Sequence, residues 1–353
     1  MSESATASAP AKTQPKAKKN RLSSGFFRFV LTRFLLIIPT VFILVTIVFF
    51  VMRATGDPIS AAMGGRLTPE ELQRRIHAAG YDRPLVVQYL DYLGGLLRGD
   101  LGTTLTDNQP VTTILTRYGA ATFELAFLSL IVALIVGIGL GRLAARRRDH
   151  AADAGIRVFA ILCYATPVFF LGLMLKLVFA VWLNVLPPSG RSSFASDMQF
   201  QRLVSPTGFY IIDAFQLGDM SVLVDVLRHA VLPALALGLL TAGVFIRLVR
   251  TNVISTYTSG YVEAARSRGV SEGRLLSKHA WRPAMIPIIT VMGMQIALML
   301  AGAVLTETTF EWKGLGFMLS QYLKQRDFVA VQGIVILIAI IVAVVNFIVD
   351  VIA

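Results

Sequence analysis

The chain has 353 residues, 55% of them hydrophobic and only 15% charged, with a mean hydropathy of +0.67. Soluble domains carry about 25% charged residues, so composition excludes an ordinary water-soluble fold and points to a bilayer protein. The formal charge is +12, and the single cysteine, Cys163, excludes a disulfide framework within the chain.

Residues 1–25, opening MSESATASAPAKTQPKAKKN, are rich in Ala, Ser, Pro and Lys and predict a disordered basic tail. They lack the layout of a cleavable signal peptide, so the first apolar run is expected to stay as an anchor. A helical span needs about 20 apolar residues. Six runs qualify: 29–52, 119–143, 156–183, 230–246, 285–305 and 329–353. Each is continuous rather than alternating, which predicts helices and not barrel strands. The fourth run is the shortest and contains Pro233.

With the N-terminus placed in the cytoplasm, the inner segments sum to +14 and the outer segments to −1. Basic residues favour the cytoplasmic side, so both termini are expected there. Anionic lipid of the inner leaflet accounts for the basic balance without nucleic acid.

The first outer segment, 54–118, is long enough to fold by itself. In TPEELQRRIHAAG, Thr68 is set as an N-cap, with Pro69 at the first helical position and Glu71 completing a capping box. Gly80 stands where a left-handed residue ends a helix. Leu85, Tyr89, Tyr92, Leu93 and Leu96 then share one helical face. These helices form a lid over the bundle, or a docking face for an external partner. The second outer segment, 186–228, is less regular. The third contains Phe310, Trp312, Phe317 and Tyr322, which are expected as interfacial anchors.

The four histidines lie far apart and show no metal-ligand spacing. No phosphate-binding loop of the GxxxxGK[ST] type occurs, and no nucleophile–base arrangement stands out. The chain shows no chemistry of its own, so no enzyme and no cofactor is expected within it.

The segment 261–287, YVEAARSRGVSEGRLLSKHAWRPAMIP, interrupts the apolar sequence with seven charged residues and a histidine. A first helix should end at Gly269 by positive φ. Ser271 then serves as N-cap of a short amphipathic helix, with Glu272 in its first turn. Leu275, Leu276, His279 and Ala280 make its less polar face, and Pro283 and Pro287 lead into the next span. Lipid attraction explains the arginines. It does not explain Glu263 followed by two small residues and a glycine.

EAARSRG followed by HAWRPAMIP resembles the EAA loop of permease subunits of bacterial ATP-binding-cassette importers. ATGDPI, GYDRPLVVQYLDYLGGLLRGDLG, ATFELA, LPPSG and QGIVILIAIIVAVVNFIVD are similar, in the same order, to the dipeptide/oligopeptide/nickel permease group. The long first outer loop resembles the B-type subunit. The resemblance implies an all-α polytopic membrane protein with six transmembrane helices and the type I importer permease fold. Its divisions are a tail at 1–25, a first span at 26–53, a helical loop region at 54–118 and a five-helix core at 119–353 that contains the 261–287 loop.

The resemblance also implies partners: a second, usually non-identical permease, two cytoplasmic ATPases that carry ATP and Mg, and an external substrate-binding protein. The location implied is the bacterial inner membrane. Carried over by position, the ATPase-coupling residues are Glu263, Ala264, Ala265, Arg266, Gly269, Ser271, Glu272, Leu275 and Leu276, with 270–280 as the coupling helix. Met292, Gln295, Met299 and Thr306 fall on one stripe of the fifth span. That stripe faces a pore or packs against a neighbouring helix. Glu124 meets a peptide amine or pairs with Arg117.

Three features depart from the group's pattern. The N-terminal extension has no counterpart, and relatives continue into a short cytoplasmic tail beyond FIVDVIA. Lys313 replaces a common proline, which would loosen the outer turn. Lys176 lies in a span, as a functional charge or a snorkelling one. The substrate class implied is peptides, with nickel chelates, glutathione and haem as alternatives within the group. An ion-driven secondary transporter would show ionisable residues at mid-membrane and a repeat of broken helices. A structural scaffold would leave the Glu-Ala-Ala…Gly order unexplained.

Overall fold

The computed structural model describes residues 21–65 and 67–352. The expected basic tail therefore lies outside the described residues as far as residue 20, and helix α1 (Arg21–Ala54) begins a few residues before the expected boundary at 26. All described regular structure is helical, and one isolated antiparallel bridge pairs Thr103 with Pro110. Among the described residues five helices are long and apolar enough to cross a membrane, and a bent pair makes a sixth crossing if counted as one span.

In the first outer segment the start of the second helix and the glycine turn after it fall where the sequence set them, and the helix of the second span already begins at Val111, inside the expected 54–118 region. Asp57 caps α2 (Pro58–Met63) by accepting the Ser60 N–H at 2.7 Å. Thr68 caps α3 (Pro69–Ala78) by accepting the Glu71 N–H at 3.4 Å. The Glu71 carboxylate does not close the box; it accepts from Arg75 Nε at 3.1 Å. Gly80 ends the turn with φ +71°. Helix α4 (Leu85–Leu97) follows.

The second span is α5 (Val111–Arg146). The third apolar run, expected as one helix over 156–183, is broken. Helix α6 (Ala151–Ala165) and α7 (Val168–Leu175) meet at a bend of 108°, and α7 runs on as a wide π-type turn over Lys176–Trp182. Pro167 is the cause. The residue before a proline is pushed out of the helical region, and Thr166 sits at φ −80°, ψ 126°. Short helices α8 (Phe194–Phe200) and α9 (Tyr210–Leu217) follow.

The fourth run, shortest in apolar residues, belongs to the longest helix, α10 (Met220–Tyr257), 38 residues with Pro233 inside it. Its most apolar stretch is 61% buried, against 11% for α1. A central helix is shielded by neighbours, so it tolerates polar residues that a lipid-facing one does not. Helix α10 packs on α5 through small residues. A Cβ on Gly137 would lie 2.5 Å from Phe245 Cβ, and one on Gly141 2.7 Å from Val249 Cβ. Small side chains let helix backbones close in where no hydrophobic driving force acts between apolar helices.

Helix α11 (Gly260–Ser267) leads to α12 (Glu272–Arg274), a π-type turn over Leu275–Ala280 and then α13 (Trp281–Phe310). After α14 (Leu315–Lys324), α15 (Phe328–Ile352) returns through the bundle beside α1. Phe34 meets Phe347 edge-on at 5.7 Å, and Arg33 lies 3.4 Å from Asp350. The bundle thus has two unlike ends. One end, called the coupling end after the expectation from sequence, gathers residues 147–150 and 258–280; the far end gathers 55–65, 67–110, 183–219 and 311–327.

Candidate functional site

The coupling end is built on both α10 and α13. Gly269 closes α11 with φ +80° and has open space where a Cβ would go. Glycine is therefore demanded there by backbone conformation and not by crowding. Val262, Leu275 and Ala280 are buried, whereas Glu263, Ala264, Gly269 and Ser271 are exposed and Ala265 is half-buried. One side of the segment is thus anchored and the other is small and accessible. Ser271 has the extended backbone of an N-cap, but its hydroxyl makes no capping bond. Glu272 is drawn sideways instead. It accepts from Arg266 Nε at 2.8 Å and from the Tyr257 hydroxyl, and the Arg266 guanidinium lies over the Tyr257 ring at 5.0 Å.

The expected coupling helix, 270–280, is not a separate element. It runs without a break into α13, so Glu272–Phe310 is one rod. Pro283 and Pro287, which lead into the span, do not interrupt the helix. A wide turn over Leu275–Ala280 immediately precedes Pro283, and widening shifts the carbonyl that a proline ring would strike. Leu276 and Trp281 pack with Val249, Val253, Ala284 and Ile288, joining the rod to α10. Arg142 of α5 stacks over Trp281 at 4.5 Å. The segment is therefore continuous with α13 and packed against α10 and α5.

Beside this rod lies a cavity of about 930 Å³ between α6, α10 and α13. Ile161, Tyr164 and Leu298 on its wall are each more than 60% exposed, so it is a groove open at the side of the bundle. Thr241 and Gln295 interrupt an apolar lining, and Arg157, Arg247 and Arg250 stand toward the coupling end. Arg250 grips buried Asp153 with Nε at 2.6 Å and an Nη at 2.7 Å, a bidentate pair that fixes α6 to α10. The sequence counted these arginines only toward topology. The four-residue step from Asp153 to Arg157 was the available signal, and Arg250 is too distant in sequence to have joined it.

Of the expected stripe on α13, Gln295 and Met299 line this cavity. Met292 is half-buried away from it. Thr306 is buried beyond it and donates to the Gly302 carbonyl of its own helix at 3.3 Å. Glu124 is at the far end, buried, and pairs with Arg191 at 2.6 Å. Arg117, the partner considered from sequence, lies instead against Tyr118.

The far end is tied together by buried polar groups. Glu124 also accepts the Ile211 N–H at 2.8 Å, and Arg191 donates to the Gly208 carbonyl at 2.9 Å. Glu307, fully buried, accepts from the Thr122 hydroxyl at 2.6 Å and the Phe317 N–H at 2.9 Å. Trp312 Nε1 donates to the Ala121 carbonyl at 2.9 Å. Phe310, Trp312 and Tyr322 are therefore buried in the protein, not interfacial anchors, because the 311–317 turn folds down onto α5. The same bonds hold the turn around Lys313 in place. Lys176 donates to the Thr309 carbonyl at 2.9 Å, placing its charge on the C-terminal end of α13, where a helix dipole favours a cation.

The described residues form an apolar helical bundle with a groove open at its side. Comparison with known proteins assigns its class. Residues 137–353 match the model of the binding-protein-dependent transport system inner membrane component, and residues 26–125 match that of its N-terminal part. The chain is 37% identical over 325 residues to the di/tripeptide transport system permease protein DppB of Pseudomonas aeruginosa, covering 92% of this chain and 95% of that protein. It is 37% identical over 326 residues to the dipeptide transport system permease protein DppB of Escherichia coli K12, with the same coverage. A probable D,D-dipeptide permease of Escherichia coli, DdpB, is 36% identical over 295 residues, 84% of this chain and 86% of that protein. The chain belongs to the family of binding-protein-dependent transport system inner membrane components. Its fold is the all-α type I importer permease fold with a long helical first loop.

Proposed function

We propose that this chain forms half of the translocation pore of an ATP-driven importer of dipeptides and short oligopeptides. The substrate class is supported by the names of the relatives. The proposed setting is a bacterial inner membrane with both termini and the 257–282 segment in the cytoplasm, which follows the excess of basic residues at that end. A second permease covers the open side of the groove between α6, α10 and α13. An external binding protein delivers substrate at the far end, and two cytoplasmic ATPases supply ATP hydrolysis with their own Mg.

The observation that carries this reading is the rod Glu272–Phe310 with its exposed small-residue step at Glu263–Gly269. Glu263, Ala264 and Gly269 offer a low, open surface to the ATPase, and Ala265 lies at its edge. Arg266 and Glu272 hold the step's shape, the Ser271 carbonyl accepts the Arg274 and Leu275 N–H groups, and Leu275 and Leu276 root it on the bundle. Closure of the ATPases moves the rod, α10 and α5 together and re-packs the groove. Gln295, Met299, Thr241 and Tyr164 are the proposed path-lining residues.

The experiment is uptake by the complete importer in lipid vesicles. The reading expects ATP-dependent accumulation of a labelled dipeptide, reduced at least tenfold by Gln295→Trp, which blocks the groove. Ion-gradient-driven uptake without ATPases would contradict it.

A further inference from the structure

Helix α4 carries an apolar stripe that none of the described residues covers. Val86, Leu90, Leu93 and Leu97 recur at steps of four, three and four, which places them on one side of the helix. Val86, Leu90 and Leu97 are 68, 61 and 91% exposed. The opposite side holds the helix to the protein. Gln88 is buried and donates to the Tyr81 and Arg83 carbonyls at 2.9 and 2.8 Å, and Tyr92 stacks on Phe49 at 5.3 Å. Asp91, the one charged residue within Leu85–Leu97, lies about 130° around the helix from the middle of the stripe. It pairs there with Arg83 at 3.3 Å.

Depth says what covers the stripe. The Tyr89 hydroxyl lies 2.6 Å from that of Thr46, and its ring lies 5.2 and 5.4 Å from those of Phe49 and Phe50. The apolar run 29–52 of α1 is about 36 Å long, and a hydrocarbon core is about 30 Å thick. Residues 46–50 therefore lie where the first span leaves the hydrocarbon, and α4 lies beside them. At 13 residues, about 20 Å, α4 is too short to cross and runs along the boundary. Continuity and charge agree. Ile47, Phe50 and Val51 of α1 are each about half exposed, so the stripe adjoins an apolar surface that already crosses the membrane. Arg83 and Arg98 stand exposed at the two ends of α4, placed for the phosphates of a headgroup layer. An apolar stripe with basic ends is the pattern of a helix lying in a membrane interface.

We infer that α4 is an interfacial helix whose Val86–Leu97 stripe is seated in the phospholipid leaflet at the far end. It clamps the first loop to the bilayer beside the first span. The occupant of the stripe is lipid and not a protein partner. The surface is separate from the groove between α6, α10 and α13, and the inference rests only on the chain spanning a membrane.

The test uses the complete importer in phospholipid nanodiscs, with the photoreactive residue p-benzoylphenylalanine placed singly at Leu90, Leu97 and Asp91. After illumination, the mass of the permease chain reports what was captured. Expected at Leu90 and Leu97 is a gain of one phospholipid, unchanged when the external binding protein is docked, with at least tenfold less at Asp91. Absence of lipid adducts at Leu90 and Leu97, whether or not the second permease or the binding protein is captured instead, would overturn the inference. So would equal lipid capture at all three positions. A membrane-soluble diazirine applied to the wild-type importer needs no substitution, which keeps the inference testable if a variant fails to assemble. The peptide containing Val86–Leu97 is expected to take up at least a third of the label found on Phe34–Ile47 of the first span. Less than that would overturn the inference.

Discussion

The Arg266–Glu272 step at the coupling end and the inter-helix ties at the far end handle charge differently. At the coupling end the Arg266–Glu272 pair has side chains 38% and 60% exposed. At the far end Glu124 and Arg191 are 4% and 8% exposed, and Glu307 and Asp327 are fully buried. Asp327 alone accepts from the Leu105 and Thr106 N–H groups, at 2.7 and 2.9 Å, and so pins the first loop to the start of α15. The far end spends its polar groups on holding itself together. The coupling end buries Asp153 with Arg250 but leaves the Arg266–Glu272 pair and Glu263 accessible, which suits the proposed grip by another chain.

The largest effect on stability is therefore expected at the far end. Arg191→Ala leaves Glu124 buried and unpaired, and breaking such a pair costs about 3–5 kcal/mol. A marked fall in melting temperature of the purified permease checks this; an unchanged value would break the contrast. Gly269→Val comes next. It forces a β-branched residue to positive φ, at about 1–2 kcal/mol of local strain, and nothing crowds the site. Expected is a small fall in melting temperature with loss of ATPase co-purification, whereas Gly269→Asn, which tolerates the left-handed region better, keeps more of it. The smallest effect on stability belongs to Glu272→Ala. Exposed ion pairs contribute little, so its melting temperature should match wild type while substrate-stimulated ATP hydrolysis falls.

Much of the architecture was legible in the sequence, and the reasons for the rest are physical. Apolar runs located the spans because transfer into lipid is a local property of about 20 residues. Thr68, Gly80 and Gly269 were legible because caps and positive φ are equally local. The bend at Thr166–Pro167 had its signal in the proline, but continuous hydropathy overrode it. Hydropathy reports depth in the membrane and not direction. The length of α10 was hidden for the opposite reason: a helix surrounded by protein need not be apolar throughout. Pairs such as Glu124 with Arg191 and Thr122 with Glu307 lie 67 and 185 residues apart, beyond any spacing rule. Trp312 is buried where its Nε1 reaches the Ala121 carbonyl and Tyr322 where its hydroxyl reaches Asp107, 191 and 215 residues away, so neither burial could be read either. On α13, a straight stripe placed Met292 and Thr306 with Gln295 and Met299, but the cavity ends before either is reached.

The central claim is that residues 263–275 form the handle through which partner ATPases drive the bundle. Its most direct test is Glu263→Ala in the assembled importer, with co-purification of the ATPases and peptide-stimulated ATP hydrolysis measured on one preparation. Glu263 is exposed and its side chain makes no intramolecular hydrogen bond among the described residues, so the permease itself should melt as wild type. The account predicts that both readouts fall together by at least tenfold. Wild-type values for both, in a normally folded protein, would contradict it.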